Sequence, residues 1–322
     1  MRPNEAVAPS LEEIRAARER IRTFTVRTPL LRLPLDDSAA AVYIKPECLQ
    51  SIGSFKIRGA GNAMASLSAE ELAEGVYTAS AGNMAQGVAW NARRLGIPCV
   101  VVVPDHAPEA KLAAITRLGA RIVKMPFAAW WRVMVEHRHE GVRRRFIHPV
   151  SDPAVMAGNG TIGLEIAEDL PDVETVLVPY GGGGLSCGIA AALRAVAPRA
   201  RVVACEVATA APLTASLAAG GPTSVEYQPS FVDGIGGKGV LEEMWPLAST
   251  LLTGSIVVSL DEIADAIRLL VGRARLIAEG AGAASVAAAL CGRAGPGAVV
   301  CVVSGGNLDP AKLATILRGE IP

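Results

Sequence analysis

The sequence predicts an α/β protein built on largely parallel sheets. Short apolar runs such as 98–103 and 298–303 are typical of strands buried on both faces, and helix-like segments of about 10–15 residues separate them. Alternation of this kind packs helices against parallel strands. The expected strands are 41–44, 98–103, 121–124, 175–178, 201–207 and 298–303. The expected helices are 11–22, 82–95, 108–118, 154–170 and 185–196, with another that Asp261 caps and whose apolar positions are 263, 267, 270, 274 and 277.

Length and composition favour a cytoplasmic protein of two α/β units. A chain of 322 residues corresponds to roughly two domains, and residues 149–152 form the best boundary between them. The 31 basic and 31 acidic residues cancel, which argues against a nucleic acid or a membrane surface as partner. No apolar run is long enough for a membrane helix, and the charged N-terminal segment is unlike a signal peptide. The six cysteines are never closer than ten positions, which is typical of reduced thiols.

Four consecutive glycines at 181–184 lie between an expected strand and an expected helix. Backbone N–H groups converge in such a loop, and the helix N-terminus adds positive potential, so the loop favours phosphate binding over a mere flexible turn. The run 182–188 also loosely resembles a dinucleotide fingerprint, with Glu206 where a ribose-binding acid would lie. An NAD(P)-dependent oxidoreductase is therefore an alternative.

Three further segments suggest ligand chemistry. Lys56, one of only six lysines, lies between Phe55 and Ile57, where partial desolvation would make its amine a nucleophile; a snorkelling surface lysine is the alternative. Residues 80–87 open a helix with small polar groups that suit a carboxylate, although Ser80 or Asn83 could simply cap that helix. Ser304 directly follows a buried strand, at the sheet edge where ligands bind.

Together these features predict a phosphorylated carbonyl cofactor held on a lysine. A lysine nucleophile, a phosphate loop, a carboxylate loop and a hydroxyl at a strand end are the groups that pyridoxal phosphate chemistry needs. The segments SFKIRGA, SAGNMAQG, GGGGL and SGGN occur in an order and spacing that resembles the pyridoxal-phosphate-dependent serine/threonine dehydratases of fold type II. The resemblance implies two open, twisted, largely parallel sheets flanked by helices, with the cofactor between a large domain (1–52 and 149–322) and a small one (53–148).

The resemblance also implies roles for individual residues. Lys56 would form the Schiff base and move the Cα proton, while Phe55 would pack beside the cofactor ring. The remaining cofactor contacts would come from Asn83, Gly181, Gly182, Gly183, Gly184, Leu185, Glu279 and Ser304. The substrate carboxylate would be held by Ser80, Ala81, Gly82, Asn83 and Met84. By the same resemblance we expect a homo-oligomer, dimer or tetramer, and a short form without an appended regulatory domain.

The implied reaction is β-elimination from a β-hydroxy amino acid, of L-threonine or L-serine type, to a 2-oxo acid and ammonia. Met84 replaces the family's usual histidine, so a bulkier substrate such as 3-hydroxyaspartate or phenylserine is an alternative. Ala81 replaces the serine that serves racemases of this group as acid and base, which disfavours the second alternative, serine racemase. The family's metal site pairs an acid matching Glu206 with another six residues on, where this chain has Pro212, so no metal is expected. His137 and His139 are interpreted as a solvated helix face.

Overall fold

The computed structural model describes residues 5–35 and 40–322, which form two separate sheets. The six-stranded sheet has the order β1-β2-β10-β7-β8-β9, and only β1 runs antiparallel to its neighbour. The four-stranded sheet has the order β5-β4-β3-β6 and is parallel throughout. The strands are β1 (Leu31–Arg32), β2 (Ala40–Pro46), β3 (Val76–Ala79), β4 (Cys99–Pro104), β5 (Arg121–Met125), β6 (Arg145–Phe146), β7 (Thr175–Pro179), β8 (Arg201–Val207), β9 (Gly254–Val258) and β10 (Gly297–Val303). The predicted fold class is confirmed.

Helices cover both sheets, so apolar side chains fill the space on each face. The helices are α1 (Leu11–Ile21), α2 (Lys56–Ala65), α3 (Ala69–Ala73), α4 (Asn83–Leu95), α5 (Glu109–Arg117), α6 (Phe127–Glu136), α7 (Pro153–Asp169), α8 (Gly184–Val196), α9 (Pro212–Ala219), α10 (Trp245–Leu251), α11 (Leu260–Leu269), α12 (Gly280–Leu290) and α13 (Pro310–Leu317). In the small sheet, β4 is buried along its whole length, as its continuous apolar run predicts. Every strand of the small sheet lies between β2 and β7 in the chain.

The prediction that Asp261 caps a helix is wrong by two residues. Ser259 is the N-cap of α11, because its hydroxyl accepts from the Glu262 amide while the Glu262 carboxylate accepts from the Ser259 amide. This reciprocal pair is a capping box. The helix then passes into a π turn over Leu270–Ala274 and ends at Arg275, whose φ is +58°. Ile277 therefore lies outside the helix and is exposed.

The helix α2 is held between α4 and α7 by glycines that allow backbone contact. A Cβ added at Gly158 of α7 would lie 2.5 Å from the Arg58 carbonyl oxygen, and one added at Gly59 would lie 2.8 Å from the Val155 carbonyl oxygen. On the opposite side, a Cβ at Gly87 of α4 would lie 3.0 Å from the Lys56 carbonyl oxygen. The start of α2 is thus fixed by two helices at once.

Replacing Gly158 by alanine is expected to lower the free energy of unfolding by about 1–3 kcal/mol, because the new methyl group would overlap the α2 backbone. Helix propensity alone would make the alanine variant more stable, so a loss of stability would come from packing. Gly272→Ala is the matched control, since a Cβ there meets nothing within 4 Å. Chemical denaturation of both variants is the measurement, and equal stabilities would contradict the proposed close contact.

Candidate functional site

Lys56 lies at the first position of α2 and is half-buried. Its Nζ donates a hydrogen bond of 2.8 Å to the Pro149 carbonyl and lies 5.0 Å from the centroid of the Phe55 ring. Burial lowers the pKa of Lys56 to about 8, so its amine is neutral far more often than that of an ordinary lysine. A neutral amine is the form that attacks a carbonyl.

The glycine loop, residues 181–184, connects β7 to α8. Gly183 is the N-cap of α8 with a φ of +99°, and no side chain caps the helix. Because the first turn of a helix has no internal partners for its N–H groups, these amides can bind an anion. The Tyr180 hydroxyl lies beside Gly183, is buried, and has no hydrogen-bond partner among the described residues. Uncapped amides and an unpaired hydroxyl fit a phosphate group.

Val150 lies directly against the glycine loop. A Cβ at Gly182 would lie 2.6 Å from the Val150 side chain, and one at Gly184 would lie 2.5 Å from the Val150 carbonyl oxygen. The preceding residue, Pro149, accepts the hydrogen bond from Lys56. The predicted nucleophile and the predicted phosphate loop therefore both contact the same short segment, Pro149 and Val150.

The loop after β10 forms the next side of the site. The Phe55 amide donates to the Ser304 carbonyl at 3.0 Å, and Ser54 pairs with Gly305 in an isolated antiparallel bridge. Ser304 is buried. A Cβ at Gly305 would lie 2.6 Å from Oε1 of Glu279, so this glycine leaves room for the carboxyl group. Ser304 and Glu279 are thus brought to the segment that carries Lys56.

Asn83 links the small-sheet unit to this loop. Its Nδ2 donates to Oε1 of Glu279 at 2.7 Å, while its Oδ1 accepts from Nδ2 of Asn307 at 2.8 Å. Burial, and to a lesser extent the charge of Asp233, raises the pKa of Glu279 to about 7, although the Asn83 hydrogen bond opposes this shift. The sequence analysis assigns no role to Asn307, although its position in the SGGN segment indicates that it lies at the site.

The segment predicted to hold the substrate carboxylate leads into α4. The N-cap of α4 is Gly82 and no side chain caps the helix, so neither Ser80 nor Asn83 serves as the cap. Ser80 Oγ instead accepts from the Gly82 amide at 3.2 Å. Residues 80–83 are half-buried, whereas Met84 is buried in an apolar cluster that includes Ala60 and Val155. The predicted carboxylate contacts of residues 80–84 stay a prediction.

Glu206 is a helix cap, which removes the main support for a dinucleotide site. Its carboxylate accepts hydrogen bonds from the Leu213 amide, from the Thr214 amide and hydroxyl, and from the Ser255 hydroxyl, at 2.7–2.9 Å. The first three donors lie at the start of α9. Oε2 accepts three of these bonds and Oε1 accepts one, so the carboxylate is engaged within the protein and its position is explained without a ribose.

One other cluster has the residue types of a metal site. His137, His148 and Glu243 bring three potential ligand atoms within 4.8 Å of one another. His137 is exposed, as interpreted from the sequence, but it is the residue that ends α6, and its Nε2 lies 3.1 Å from Glu243 Oε1. His139 lies beyond the helix, so the two histidines do not share a helix face. Both ring nitrogens of His148 are engaged with backbone groups, the Met134 carbonyl and the Ser151 amide. A metal could bind His148 only by breaking one of these bonds.

The fold and the site define a two-sheet α/β protein in which a lysine of lowered pKa and a glycine loop with uncapped amides contact the same segment. Comparison with known proteins agrees with this description of the fold and the site. The family model described as "Pyridoxal-phosphate dependent enzyme" matches residues 21–305. The chain is 41% identical over 318 residues to an L-threonine ammonia-lyase of Thermotoga maritima, covering 96% of this chain and 78% of that one.

Solved structures show the same likeness. The processed form of threonine deaminase isoform 2 from Solanum lycopersicum superposes with a TM-score of 0.87 at 33% identity, covering 99% of this chain and 92% of that one. Maize serine racemase gives a TM-score of 0.87 at 31% identity, covering 97% of this chain and 98% of that one. The chain belongs to the family of pyridoxal-phosphate-dependent enzymes.

The rate at which the cofactor-free protein captures pyridoxal phosphate is expected to rise with pH up to about 8 and then level off. Only the neutral amine reacts, and burial lowers the pKa of Lys56 from 10.5 to about 8. Stopped-flow absorbance across this range measures the rate, with N-acetyl-lysine as the control for the cofactor's own titration. A protein rate that keeps rising in parallel with the control would show that Lys56 has an ordinary pKa.

Proposed function

We propose that the protein eliminates the β-hydroxyl group of an amino acid of L-threonine or L-serine type, releasing a 2-oxo acid and ammonia. The observation that carries the proposal is the position of Lys56. Its amine donates a hydrogen bond to the segment that contacts the glycine loop, and the preceding residue, Phe55, is hydrogen-bonded to the Ser304 loop. The likeness to L-threonine ammonia-lyases and to threonine deaminase supports the choice of reaction and substrate.

The residues present fit pyridoxal phosphate. Lys56 would hold its aldehyde carbon, and the uncapped amides of residues 181–185 would hold its phosphate. Asn83, Glu279 and Ser304 would contact the ring, with Phe55 packed beside it. When bound, the cofactor supplies an electron sink that stabilises negative charge at the substrate Cα.

The chain's own groups account for the remaining requirements. The Lys56 amine, once free, takes the Cα proton, because its lowered pKa leaves it neutral near pH 8. The start of α4 would orient the substrate carboxylate through the backbone amides of Ala81, Asn83 and Met84, because the Ser80 and Gly82 amides already donate to the Val102 carbonyl and to Ser80 Oγ. Ser304 carries a hydroxyl rather than a carboxylate, so it would not enforce a positive charge on the pyridine nitrogen of the cofactor. A hydroxyl at this position would therefore favour elimination over transamination.

The proposal includes the organisation of the protein. The large domain is 1–52 and 149–322, and the small domain is 53–148. The two sheets support this division, because all four strands of the small sheet lie within 53–148 and all six strands of the other sheet lie outside it. Residues 1–4 and 36–39 of the large domain lie outside the described part of the chain. Within residues 5–35 and 40–322, no helix has the length and apolar character to cross a membrane. Six free cysteines support a cytoplasmic location. An exposed apolar stripe on α6, formed by Phe127, Trp131 and Val135, supports a homo-oligomer. The equal numbers of basic and acidic residues support the proposal that no nucleic acid binds.

A substrate panel tests the proposal. The holoenzyme is incubated with L-threonine, L-serine, 3-hydroxyaspartate and phenylserine, and 2-oxo acid release is measured, while chiral chromatography of the L-serine reaction measures D-serine. We expect 2-oxo acid from threonine or serine. The likeness to maize serine racemase makes racemisation the second candidate, and D-serine in excess of pyruvate would establish it. A cofactor-loaded protein that releases 2-oxo acid from none of the four would overturn the proposed reaction.

A further inference from the structure

The segment 149–151 connects the two halves of the cofactor site. The Pro149 carbonyl accepts the hydrogen bond from Lys56 Nζ at 2.8 Å. Val150 lies so close to the glycine loop that a Cβ at Gly182 or Gly184 would approach it to 2.6 or 2.5 Å. Any displacement of this segment therefore changes the surroundings of the amine and of the phosphate loop together.

His148 fixes this segment through its side chain. Its Nδ1 accepts from the Val150 amide at 3.2 Å and from the amide and hydroxyl of Ser151, both at 2.8 Å. Its Nε2 donates to the Met134 carbonyl of α6 at 3.1 Å. The imidazole is 3% exposed. Acceptance from the second and third following amides is the pattern that asparagine and aspartate side chains make in turns and helix caps. Asp152 makes the same pattern with the amides of Ala154 and Val155.

The backbone determines the protonation state of His148. A carbonyl only accepts, so Nε2 carries the hydrogen, and an amide N–H only donates, so Nδ1 does not. Burial lowers the pKa of His148 to about 3, with smaller contributions in the same direction from His137, whose ring stacks on it at 4.2 Å, and from Lys56; Glu243 opposes them. His148 is therefore a neutral acceptor throughout the neutral pH range.

We propose that His148 is a positioning residue, whose Nδ1 holds residues 149–151 so that Pro149 contacts the Lys56 amine and Val150 supports the glycine loop. This positioning role goes beyond the proposed reaction, because it concerns how the site is assembled and is the same for any substrate. Removing the acceptor at Nδ1 should loosen both contacts. Removing only the donor at Nε2 should not.

Two variants separate the acceptor from the rest of the side chain. In His148→Asn, Oδ1 takes the place of Nδ1 and keeps the two amide hydrogen bonds, but the bond to Met134 is lost. In His148→Gln, the longer amide can reach the Met134 carbonyl but cannot satisfy the Val150 and Ser151 amides. Both variants are neutral and polar, so they differ mainly in the group that the proposal invokes.

The readouts need no substrate. The Kd for pyridoxal phosphate is measured by absorbance titration of cofactor-free protein, together with the pH midpoint of cofactor capture. We expect His148→Asn to stay within about threefold of the wild-type Kd, and His148→Gln to weaken it at least about tenfold. In the Gln variant, water should reach Lys56 and move the midpoint upward from about 8, because burial is what lowers that pKa.

Amide hydrogen exchange of the holoenzyme gives a second readout, which reports on the two amides of the segment directly. Val150 and Ser151 should exchange slowly in the wild type and in His148→Asn, and at least about tenfold faster in His148→Gln. If the Gln variant does not fold, the Asn variant and its exchange rates decide alone. Equal weakening of Kd in both variants, or an Asn variant with a tenfold loss, would overturn the positioning role. Because no substrate enters these measurements, that failure is distinct from a failed substrate panel.

Discussion

Replacing Lys56 by alanine is expected to abolish the absorbance band of the lysine-bound Schiff base and to lower 2-oxo acid release at least about 10³-fold. In the proposed reaction Lys56 supplies both the amine that holds the cofactor and the base for the Cα proton, so one substitution would remove two functions. The structure offers no second amine, among the described residues, with a comparable hydrogen bond to Pro149. Stability should not fall, since burying the amine opposes its charged form.

Lys124→Ala is the matched control. Lys124 is exposed and pairs with Glu109, so its loss should leave absorbance and activity unchanged. Borohydride reduction of the wild-type protein, followed by peptide mass spectrometry, should place the label on Lys56. A label on another lysine, or a Lys56→Ala protein that keeps its absorbance band, would refute the assignment of the nucleophile.

The sequence predicted the parts of the site that depend on short segments. The glycine loop and the Ser304 loop each follow an apolar strand, and such strands end at a common edge of a parallel sheet. That reasoning, together with the family resemblance, was enough to group Lys56, Asn83, Gly181–Gly184 and Ser304, which the structure joins through shared contacts.

Long-range contacts explain what the sequence could not predict. Glu206 was ambiguous because its Ser255 donor lies on a neighbouring strand and only the fold joins them. His148 gave no signal, since its partners are backbone atoms that any sequence would carry. The helix α2 was missed because Gly59 and Gly61 lower helix propensity, and packing between α4 and α7 supplies the stability. The Ser259 cap, by contrast, was visible as a serine followed three residues later by Glu262.

A buried ionic network supports α2 two residues beyond the nucleophile. Arg58 makes paired hydrogen bonds with Glu47 and with Glu165, at 2.6–3.0 Å, and Lys45 Nζ lies 2.7 Å from Glu165. All four side chains are buried. Burial opposes ionisation of Glu165, but the charges of Arg58 and Lys45 outweigh it and lower the pKa of this carboxyl. Two cations balance two anions, and the network joins α2 to α7, to β2 and to the turn after it.

Replacing Arg58 by methionine is expected to lower the free energy of unfolding by about 3–5 kcal/mol at neutral pH, because Glu47 would be left buried without its cation and Glu165 with Lys45 alone. Denaturation by urea measures the loss. Arg18→Met is the matched control, since Arg18 also pairs with a glutamate, Glu168, but at the surface, where a loss of at most about 1 kcal/mol is expected.

The pH dependence separates a charge effect from a packing effect. In the variant, the uncompensated carboxyls should have pKa values above those of the unfolded chain, so the folded state binds more protons between the two values and loses stability as pH rises. The deficit of Arg58→Met should therefore shrink as pH falls from about 7 toward about 5, whereas a cavity left by a poorly fitting methionine would cost the same at both values. A pH-independent deficit would show that Arg58 stabilises α2 by its volume and not by its charge, and the hydrogen-bonded network would then have no electrostatic role in holding Lys56 in place.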